Sequence, residues 1–254
     1  KTDGQRKKTK VKGTYIPIKN PVKPRVYFAV GNCLIGDIHK RDCMALAWMG
    51  HGKANQMIAY TATTWYGLAG WGTLKSWEQS GGHAPLNECF YFGGQNLMAR
   101  LNELSPALAS HSFDSSQKLS QHLLVNAMKR LKAPLTKDCL GMLWDRDIVA
   151  YYGDPANEVT LDKKHTFKAR YSTSLKETTK GQWTLNIHAH EDYKTPKTDD
   201  APMAVYFPKR LKNIKLLKGK EFKPVISDNF IMLLKAGPWK AGVDYQVTFS
   251  AEDI

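Results

Sequence analysis

The chain has 254 residues, of which 42% are hydrophobic and 11% aromatic, enough apolar material for one large or two ordinary folded domains. Its formal net charge is +14, and it contains four cysteines. No apolar run approaches the ~20 residues of a membrane-spanning helix, and the basic N-terminus lacks the apolar block of a signal peptide, so we expect no membrane span.

The positive charge is distributed unevenly along the chain. Residues 1–25 hold nine Lys and Arg against one Asp, residues 26–158 hold eleven of each sign, and residues 159–254 hold seventeen against eleven. A nucleic-acid site concentrates basic residues on the domain that carries it, which is not the pattern here. We therefore predict a basic N-terminal arm at residues 1–25 and no nucleic-acid partner.

The first predicted element leads into a cysteine. The stretch "RVYFAVGNCLIGDIHKRD", residues 25–42, predicts a strand at 26–30, a Gly-Asn turn, Cys33 and a helix at 37–49. A cysteine between a strand and a helix lies near the positive N-terminal end of that helix, where the thiolate is favoured over the thiol. We expect Asp37 to cap the helix. Position thus makes Cys33 a candidate nucleophile, against the alternative of an inert core residue.

Strands and helices then alternate up to residue 158. The further predicted elements are two strands, at 56–62 and 147–152, and two helices, at 87–104 and 115–132. Such alternation is typical of a parallel α/β sheet. Sites in these sheets form at the carboxyl ends of the strands, where Asn32, Cys33 and the loop from Thr63 onward would meet.

The pattern changes to short β-rich segments after residue 158. Segments such as "QWTLNIHAH", "MAVYFP" and "DYQVTFSA" are separated by Pro, Gly, Asp and Lys clusters, which predicts an antiparallel β-sandwich of immunoglobulin-like size over 159–254. His188 and His190 are two residues apart and would share one strand face. Because no third ligand lies nearby, a satisfied or solvated pair is favoured over a metal site.

The cysteines do not form a recognisable framework. Cys33, Cys43, Cys89 and Cys139 are widely spaced, with no C-x-x-C pair and no His partner at zinc-finger spacing. We read Cys43 as a buried helix residue and Cys139 as a buried residue between a helix and a strand.

An ordered set of motifs resembles a known enzyme family. The segment "VYFAVGNCLIGDI", the small-residue helix "DCMALAWMG", the strand "QMIAYTA", the turn "TTWYG" and the late "AYYGDPA" resemble the catalytic half of gingipain-like cysteine peptidases, on the caspase-hemoglobinase fold. In that family a strand ends in the nucleophilic cysteine, with Gly-Asp a few residues on, here Gly36-Asp37. A β-sandwich commonly follows. The resemblance implies a partial caspase-like sheet at 26–158 and an immunoglobulin-like module at 159–254.

The resemblance also implies an activity. Cys33 matches the nucleophile of a cysteine endopeptidase, which attacks the scissile carbonyl, forms an acyl-enzyme and offers its own backbone N–H to the oxyanion. The loop after the next strand matches the region that lines the specificity pocket, with the residues Thr63, Thr64, Trp65 and Tyr66. The family further implies a polypeptide substrate and a secreted, periplasmic or cell-surface location. It requires no cofactor and permits structural calcium.

The chain departs from the family at the general base. Those enzymes place a His-Gly pair after the strand that precedes the cysteine strand, whereas the first histidine here is His39, after Cys33. His51 would lie at the edge of the sheet opposite the nucleophile, and His39 along the following helix. His83, in "SGGHAP", is the best internal substitute.

Two explanations follow for the missing base. In the first, the chain, which begins at Lys1, is the C-terminal product of a precursor, and a separate upstream chain supplies His-Gly and the missing strands. A core with three strands would otherwise leave a strand edge exposed. In the second, the protein is an inactive pseudopeptidase that acts as a cell-surface or protein-binding module. We favour the first.

Overall fold

The computed structural model describes residues 23–28, 33–64, 68–79, 84–111, 120–157, 168–194 and 202–254. Its fold is mixed α/β, with one small sheet that contains a parallel pair and two antiparallel sheets. The predicted boundary at residue 158 lies outside the described residues. The elements before it are β1 (Arg25–Phe28), α1 (Met44–Gly50), β2 (Ala54–Tyr60), α2 (Leu68–Gln79), α3 (Leu86–Leu104), α4 (Pro106–Ala109), α5 (Gln121–Arg130), α6 (Lys137–Ile148) and β3 (Val149–Gly153).

The three strands of the first sheet stand in the order β1-β2-β3. β1 pairs with β2 in parallel, whereas β3 pairs with β2 antiparallel, with Val149 opposite Tyr60. The prediction of a wholly parallel sheet is therefore wrong for the last strand. The reason is that α6 ends at Ile148 and β3 begins at the next residue, so the strand starts beside the carboxyl end of β2.

Several predicted elements differ from the observed ones in their bounds. The helix predicted at 37–49 begins only at Met44, because residues 37–38 are irregular and residues 39–43 form bends and turns. The predicted strand at 147–152 is preceded by an unpredicted helix, α6, and α2 was not predicted either. The helix predicted at 87–104 is confirmed by α3, and that predicted at 115–132 by the shorter α5, since residues 112–119 lie outside the described part of the chain.

Both faces of the first sheet are covered by helices. On one face, Tyr27 stacks on Trp48 of α1 with ring centroids 4.3 Å apart. On the other face, Val26 and Phe28 of β1 pack in a cluster that includes Trp77 of α2. The β1 side chains are only half-buried, apart from the exposed Arg25, and among the described strands β1 lies at the edge of the sheet.

The second half consists of seven antiparallel strands among the described residues. They form a four-stranded sheet in the order β4-β5-β10-β7 and a three-stranded sheet in the order β6-β9-β8. A single apolar cluster, with Leu185, Ile187, Ile231 and Phe249 among its members, contains residues from both sheets. The strands are β4 (Tyr171–Thr179), β5 (Gln182–Ala189), β6 (Met203–Tyr206), β7 (Leu211–Lys218), β8 (Pro224–Ile226), β9 (Phe230–Leu233) and β10 (Asp244–Asp253).

The strand order differs from that of a constant-type immunoglobulin domain. In that domain the first, second, fifth and fourth strands share a sheet, and the third, sixth and seventh form the other. Here the seventh strand, β10, lies between β5 and β7, and the fifth, β8, pairs with β9. The two halves of the chain meet where α3 packs on the three-stranded sheet. At this contact the ring of Phe92 lies 5.3 Å from that of Phe230 and 5.6 Å from that of Tyr206.

Candidate functional site

Cys33 lies in a turn that follows β1. Residues 33–36 form this turn, and the Cys33 side chain is exposed. The next residue, Leu34, has a left-handed backbone with φ of 66°, and the Asp37 N–H donates to the Leu34 carbonyl at 3.2 Å. Cys33 does not lie at a helix N-terminus, because the N-cap of α1 is Cys43, ten positions further along the chain. The predicted helix-dipole contribution at Cys33 and the predicted cap by Asp37 are therefore wrong.

Gly36 holds the Cys33 turn against the end of β2. Its N–H donates to the Tyr60 carbonyl at 2.9 Å, and its own carbonyl accepts a hydrogen bond from the Tyr152 hydroxyl of β3. A Cβ at Gly36 would lie 3.0 Å from the carbonyl carbon, the oxygen and the Cβ of Ala59, which is closer than ordinary contact. The Gly36 N–H and C=O thus bind the turn to β2 and β3. The atoms of Ala59 leave no room for a side chain at this glycine.

The loop after β2 lies at the same end of the sheet. The Thr61 N–H donates to the Ile148 carbonyl at 2.7 Å, and the Trp144 indole N–H of α6 donates to the Thr63 carbonyl at 2.7 Å. Because β1 and β2 are parallel, the segments that follow them share the carboxyl end of the sheet. The Thr63 side chain is exposed there, beside Thr64. Of the other predicted pocket residues, Trp65 and Tyr66 lie outside the described residues.

No described histidine contacts Cys33. Within the described segments, no hydrogen bond or ion pair involves its sulfur at all. His39 is exposed and lies 3.1 Å from the Asp37 carboxylate. His51 precedes β2 while Cys33 follows β1, so the two residues are at opposite ends of a parallel pair. His83 lies outside the described residues.

The other three cysteines differ from Cys33 in their surroundings. All four are free thiols, but Cys43, Cys89 and Cys139 are buried, with exposed fractions of 4%, 3% and 0%. Burial, with a smaller effect of Glu88, raises the pKa of Cys89 from its ordinary value of 9.0 to about 12, and burial also raises the pKa of Cys139. Cys139 lies in the first turn of α6 rather than between a helix and a strand. Accessibility therefore distinguishes Cys33 from every other thiol.

Two residues that position the candidate site were not found from the sequence. Tyr152 binds the Cys33 turn, and burial, together with the nearby Asp37 and Cys43, raises the pKa of its phenol. Trp144 binds the Thr63 loop from an unpredicted helix. The sequence does contain a signal for that helix, because threonine is a preferred N-cap residue. In the structure Thr136 is the N-cap of α6, and its hydroxyl accepts from the Cys139 N–H at 3.1 Å.

A metal centre is not apparent in the described segments. They contain no group of three or more His, Cys, Asp and Glu side chains placed to hold an ion. The predicted pair in the second half is partnered, since His188 Nδ1 lies 2.7 Å from the Asp244 carboxylate and its ring lies 5.1 Å from that of His190. None of the described helices combines the length and the apolar character needed to cross a membrane.

Comparisons of this chain with protein-family models, with curated proteins and with solved structures returned no match.

Proposed function

We propose that the chain is the C-terminal part of a gingipain-like cysteine endopeptidase on a caspase-like sheet, with Cys33 as the nucleophile. An upstream chain from the same precursor supplies the histidine. The β-sandwich serves as an accessory or docking module, and the enzyme works in a secreted, periplasmic or cell-surface setting. The proposal rests on the ordered motifs of the sequence and on one structural observation, that β1 is an edge strand in the sheet formed by the described residues.

Among the described residues, no strand pairs with the outer edge of β1, and this observation carries the proposal. The side chains of Val26, Tyr27 and Phe28 are half-buried, with Tyr27 packed on Trp48 and Phe28 beside Trp77. An edge of this kind is a template for a further strand. A strand added there in parallel would end beside Cys33, because parallel strands present their carboxyl ends at one edge. This is where a His-Gly pair following that strand would be needed.

Exposed apolar side chains next to Cys33 support a missing partner. In the segment that joins β1 to α1, Leu34 is 51% exposed and Ile38 44% exposed, and Met44 at the start of α1 is 54% exposed. Single exposed apolar residues are ordinary, but three within eleven residues of the segment that follows β1 favour a surface that another polypeptide covers.

The chemistry follows from this arrangement. The Cys33 sulfur, as thiolate, attacks the carbonyl carbon of the scissile peptide bond, and the Cys33 backbone N–H donates to the oxyanion. The C–N bond then breaks, and the histidine of the upstream chain gives its proton to the departing amine. A water molecule, deprotonated by the same histidine, hydrolyses the thioester and releases the Cys33 sulfur. Thr63 and Thr64 contact the substrate at the neighbouring loop.

The second candidate is a pseudopeptidase that binds protein or cell-surface ligands. It is favoured by one observation, that no described histidine contacts the Cys33 sulfur. On this alternative Cys33 is an accessible thiol without a base, and the sandwich carries the function.

The test measures how fast Cys33 is alkylated and identifies the polypeptides that co-purify with the chain. The native protein is purified from its source, its subunits are identified by intact mass, and it is treated with iodoacetamide at pH 7.5. We expect a second polypeptide bearing His-Gly, and alkylation of Cys33 at least about tenfold faster in its presence than in the isolated chain. Cys89, with a pKa of about 12, should remain unmodified until the protein is unfolded.

Two variants make the outcome decisive. Cys33→Ala should abolish peptide hydrolysis by the native complex, whereas Cys43→Ala, at a buried thiol, should retain it. The endopeptidase proposal is wrong if the native protein holds no second chain and Cys33→Ala leaves both its activity and its ligand binding unchanged.

A further inference from the structure

Two histidines project from one face of β5 in the four-stranded sheet. Ile187 and Ala189 are buried in the core of the second half. Because side chains alternate along a strand, His188 and His190 point to the opposite face, and both are exposed. β5 lies between β4 and β10, and its pairing continues past its last residue, since the His190 N–H donates to the Arg170 carbonyl at 2.8 Å. The pair therefore stands on a strand whose backbone is held from both sides.

A carboxylate from the neighbouring strand orients one of the two rings. Asp244, the first residue of β10, is opposite His188, and its Oδ1 lies 2.7 Å from His188 Nδ1. The sequence alone does not reveal this third group, because 56 positions separate the two residues along the chain. With Nδ1 bound to the carboxylate, the other ring nitrogen, Nε2, is left for a ligand. Histidines that bind metal ions are commonly oriented in this way, by a carboxylate that accepts from their second nitrogen.

The distance between the two rings is that of two ligands of one metal ion. Their centroids are 5.1 Å apart and their planes are inclined at 67°. When two imidazoles bind one Zn²⁺ at a tetrahedral angle through nitrogens about 2.0 Å from the ion, their ring centres lie roughly 5 Å apart. Within the described part of the chain, no hydrogen bond or ion pair engages the His190 ring. Its nitrogens are therefore available to a ligand.

A second histidine–carboxylate pair shows what distinguishes the pair on β5. His39 lies 3.1 Å from the Asp37 carboxylate and is also exposed, but no ring of another described residue contacts it. An isolated exposed pair of this kind is an ordinary surface contact that contributes little to stability. On β5 the same contact orients an imidazole that has a second imidazole beside it, and a contact between two strands does not require that second ring.

We propose that His188 and His190 bind a Zn²⁺ ion, with Asp244 orienting the His188 ring. Imidazole nitrogens are ligands of Zn²⁺ and of other transition metals, whereas Mg²⁺ and Ca²⁺ prefer oxygen. Because the described residues place no third protein ligand with the pair, water completes the tetrahedral coordination. Such a site binds more weakly than a closed structural site with four protein ligands. The proposal is independent of the function proposed for Cys33.

The test measures metal binding by the untagged full chain. All proteins carry Cys33→Ala, because an exposed thiol is itself a ligand of Zn²⁺. ZnCl₂ is titrated calorimetrically at pH 7.5, with MgCl₂ as a control for cations that prefer oxygen. H190Q removes one ligand, and D244N removes the orienting carboxylate but keeps both imidazoles. H39Q is the matched control, since it removes an exposed histidine that also lies beside a carboxylate.

We expect the Cys33→Ala parent to bind one Zn²⁺ ion per chain with micromolar affinity and to show no binding of Mg²⁺. H190Q should lose measurable binding, D244N should bind about tenfold more weakly, and H39Q should bind like the parent. X-ray absorption by the zinc complex should show two imidazoles among ligands about 2.0 Å from the ion. Circular dichroism establishes that the variants remain folded.

Several results would overturn the proposal. They are the absence of Zn²⁺ binding by the parent, binding that survives H190Q, an equal loss in H39Q, and unchanged binding by D244N. Binding of Mg²⁺ that D244N abolishes would also overturn it, because that result indicates a carboxylate site rather than an imidazole site. Because the absorption spectrum is measured on the parent, it tests the ligand set even where a variant fails to fold.

Discussion

At the scale of single residues, two glycines of the motifs, Gly36 and Gly153, lie where a Cβ would be too close to neighbouring atoms. Gly36 is the last residue of the turn that contains Cys33, and it packs directly against Ala59. Gly153, in "AYYGDPA", ends β3 with φ of +132°, and a Cβ there would lie 2.4 Å from the Asn55 carbonyl oxygen. The segment that follows is bound by the buried Gln56, whose amide donates to the Asp154 and Asn157 carbonyls.

Gly153→Ala should therefore destabilise the protein. The substitution combines a left-handed backbone with a backbone collision, and we expect a loss of at least about 2 kcal/mol in the free energy of unfolding. Urea titration followed by circular dichroism measures it. Gly94→Ala is the matched control, because Gly94 lies inside α3 with nothing within 4 Å of the new Cβ, and it should be neutral or stabilising by up to about 1 kcal/mol. Equal stability of the two variants would contradict the geometry at Gly153.

At the scale of elements, α3 joins the two halves of the chain. Its N-terminal half contributes Leu86 and Cys89 to the cluster under the first sheet, and its next turn contributes Phe92 to a cluster with Phe230 and Met232 of β9. The same helix reaches the second half through Glu103, which lies 2.7 Å from the Lys223 ammonium. Aromatic packing rather than the exposed ion pair is expected to hold this contact together, because exposed pairs contribute little.

Phe92→Ala should weaken the coupling between the halves. Phe92 is 6% exposed, and its truncation leaves a cavity between the rings of Phe230 and Tyr206, so we expect a loss of about 3 kcal/mol. Calorimetry should show the transition of the wild type broaden or split into two. Lys223→Ala, which removes the ion pair at the same contact, should cost less than about 1 kcal/mol and leave the shape of the transition unchanged. If the two variants behave alike, the rings are not the basis of the coupling.

At the scale of the whole molecule, β1 is a half-buried strand at the edge of the sheet formed by the described residues. A further strand could pair with its backbone at that edge. Such a neighbour would bind only the folded state, so it would stabilise the chain by an amount that rises with the logarithm of its concentration.

Hydrogen exchange provides the corresponding test. The β1 amides that point away from β2 should exchange quickly in the isolated chain and at least about tenfold more slowly once the upstream chain is bound, as measured by mass spectrometry on peptides that cover 25–28. Peptides from β7, also an edge strand, serve as the internal control and should not change. Protection that appears equally in both strands would indicate general stabilisation rather than pairing at β1.

The sequence by itself predicted elements whose periodicity is strong and local. The period of α3 is regular over nineteen residues, and β5 alternates inward and outward side chains. β7 was missed because a left-handed residue at Asn213, with φ of 51°, interrupts its alternation, so that Leu211 and Ile214 face the core three residues apart. The position of Cys33 directly after a strand was also predicted from the sequence alone.

Only the tertiary structure decided the direction of β3, the late start of α1 and the edge position of β1. The physical reason is that a hydrophobic pattern records which side of an element is buried, whereas strand neighbours are joined by backbone N–H and C=O groups that every residue type except proline shares. The sequence therefore predicts a cysteine after an apolar strand, and the structure shows that this thiol is exposed. The sheet order locates the open edge beside it, at which a second polypeptide would complete the site.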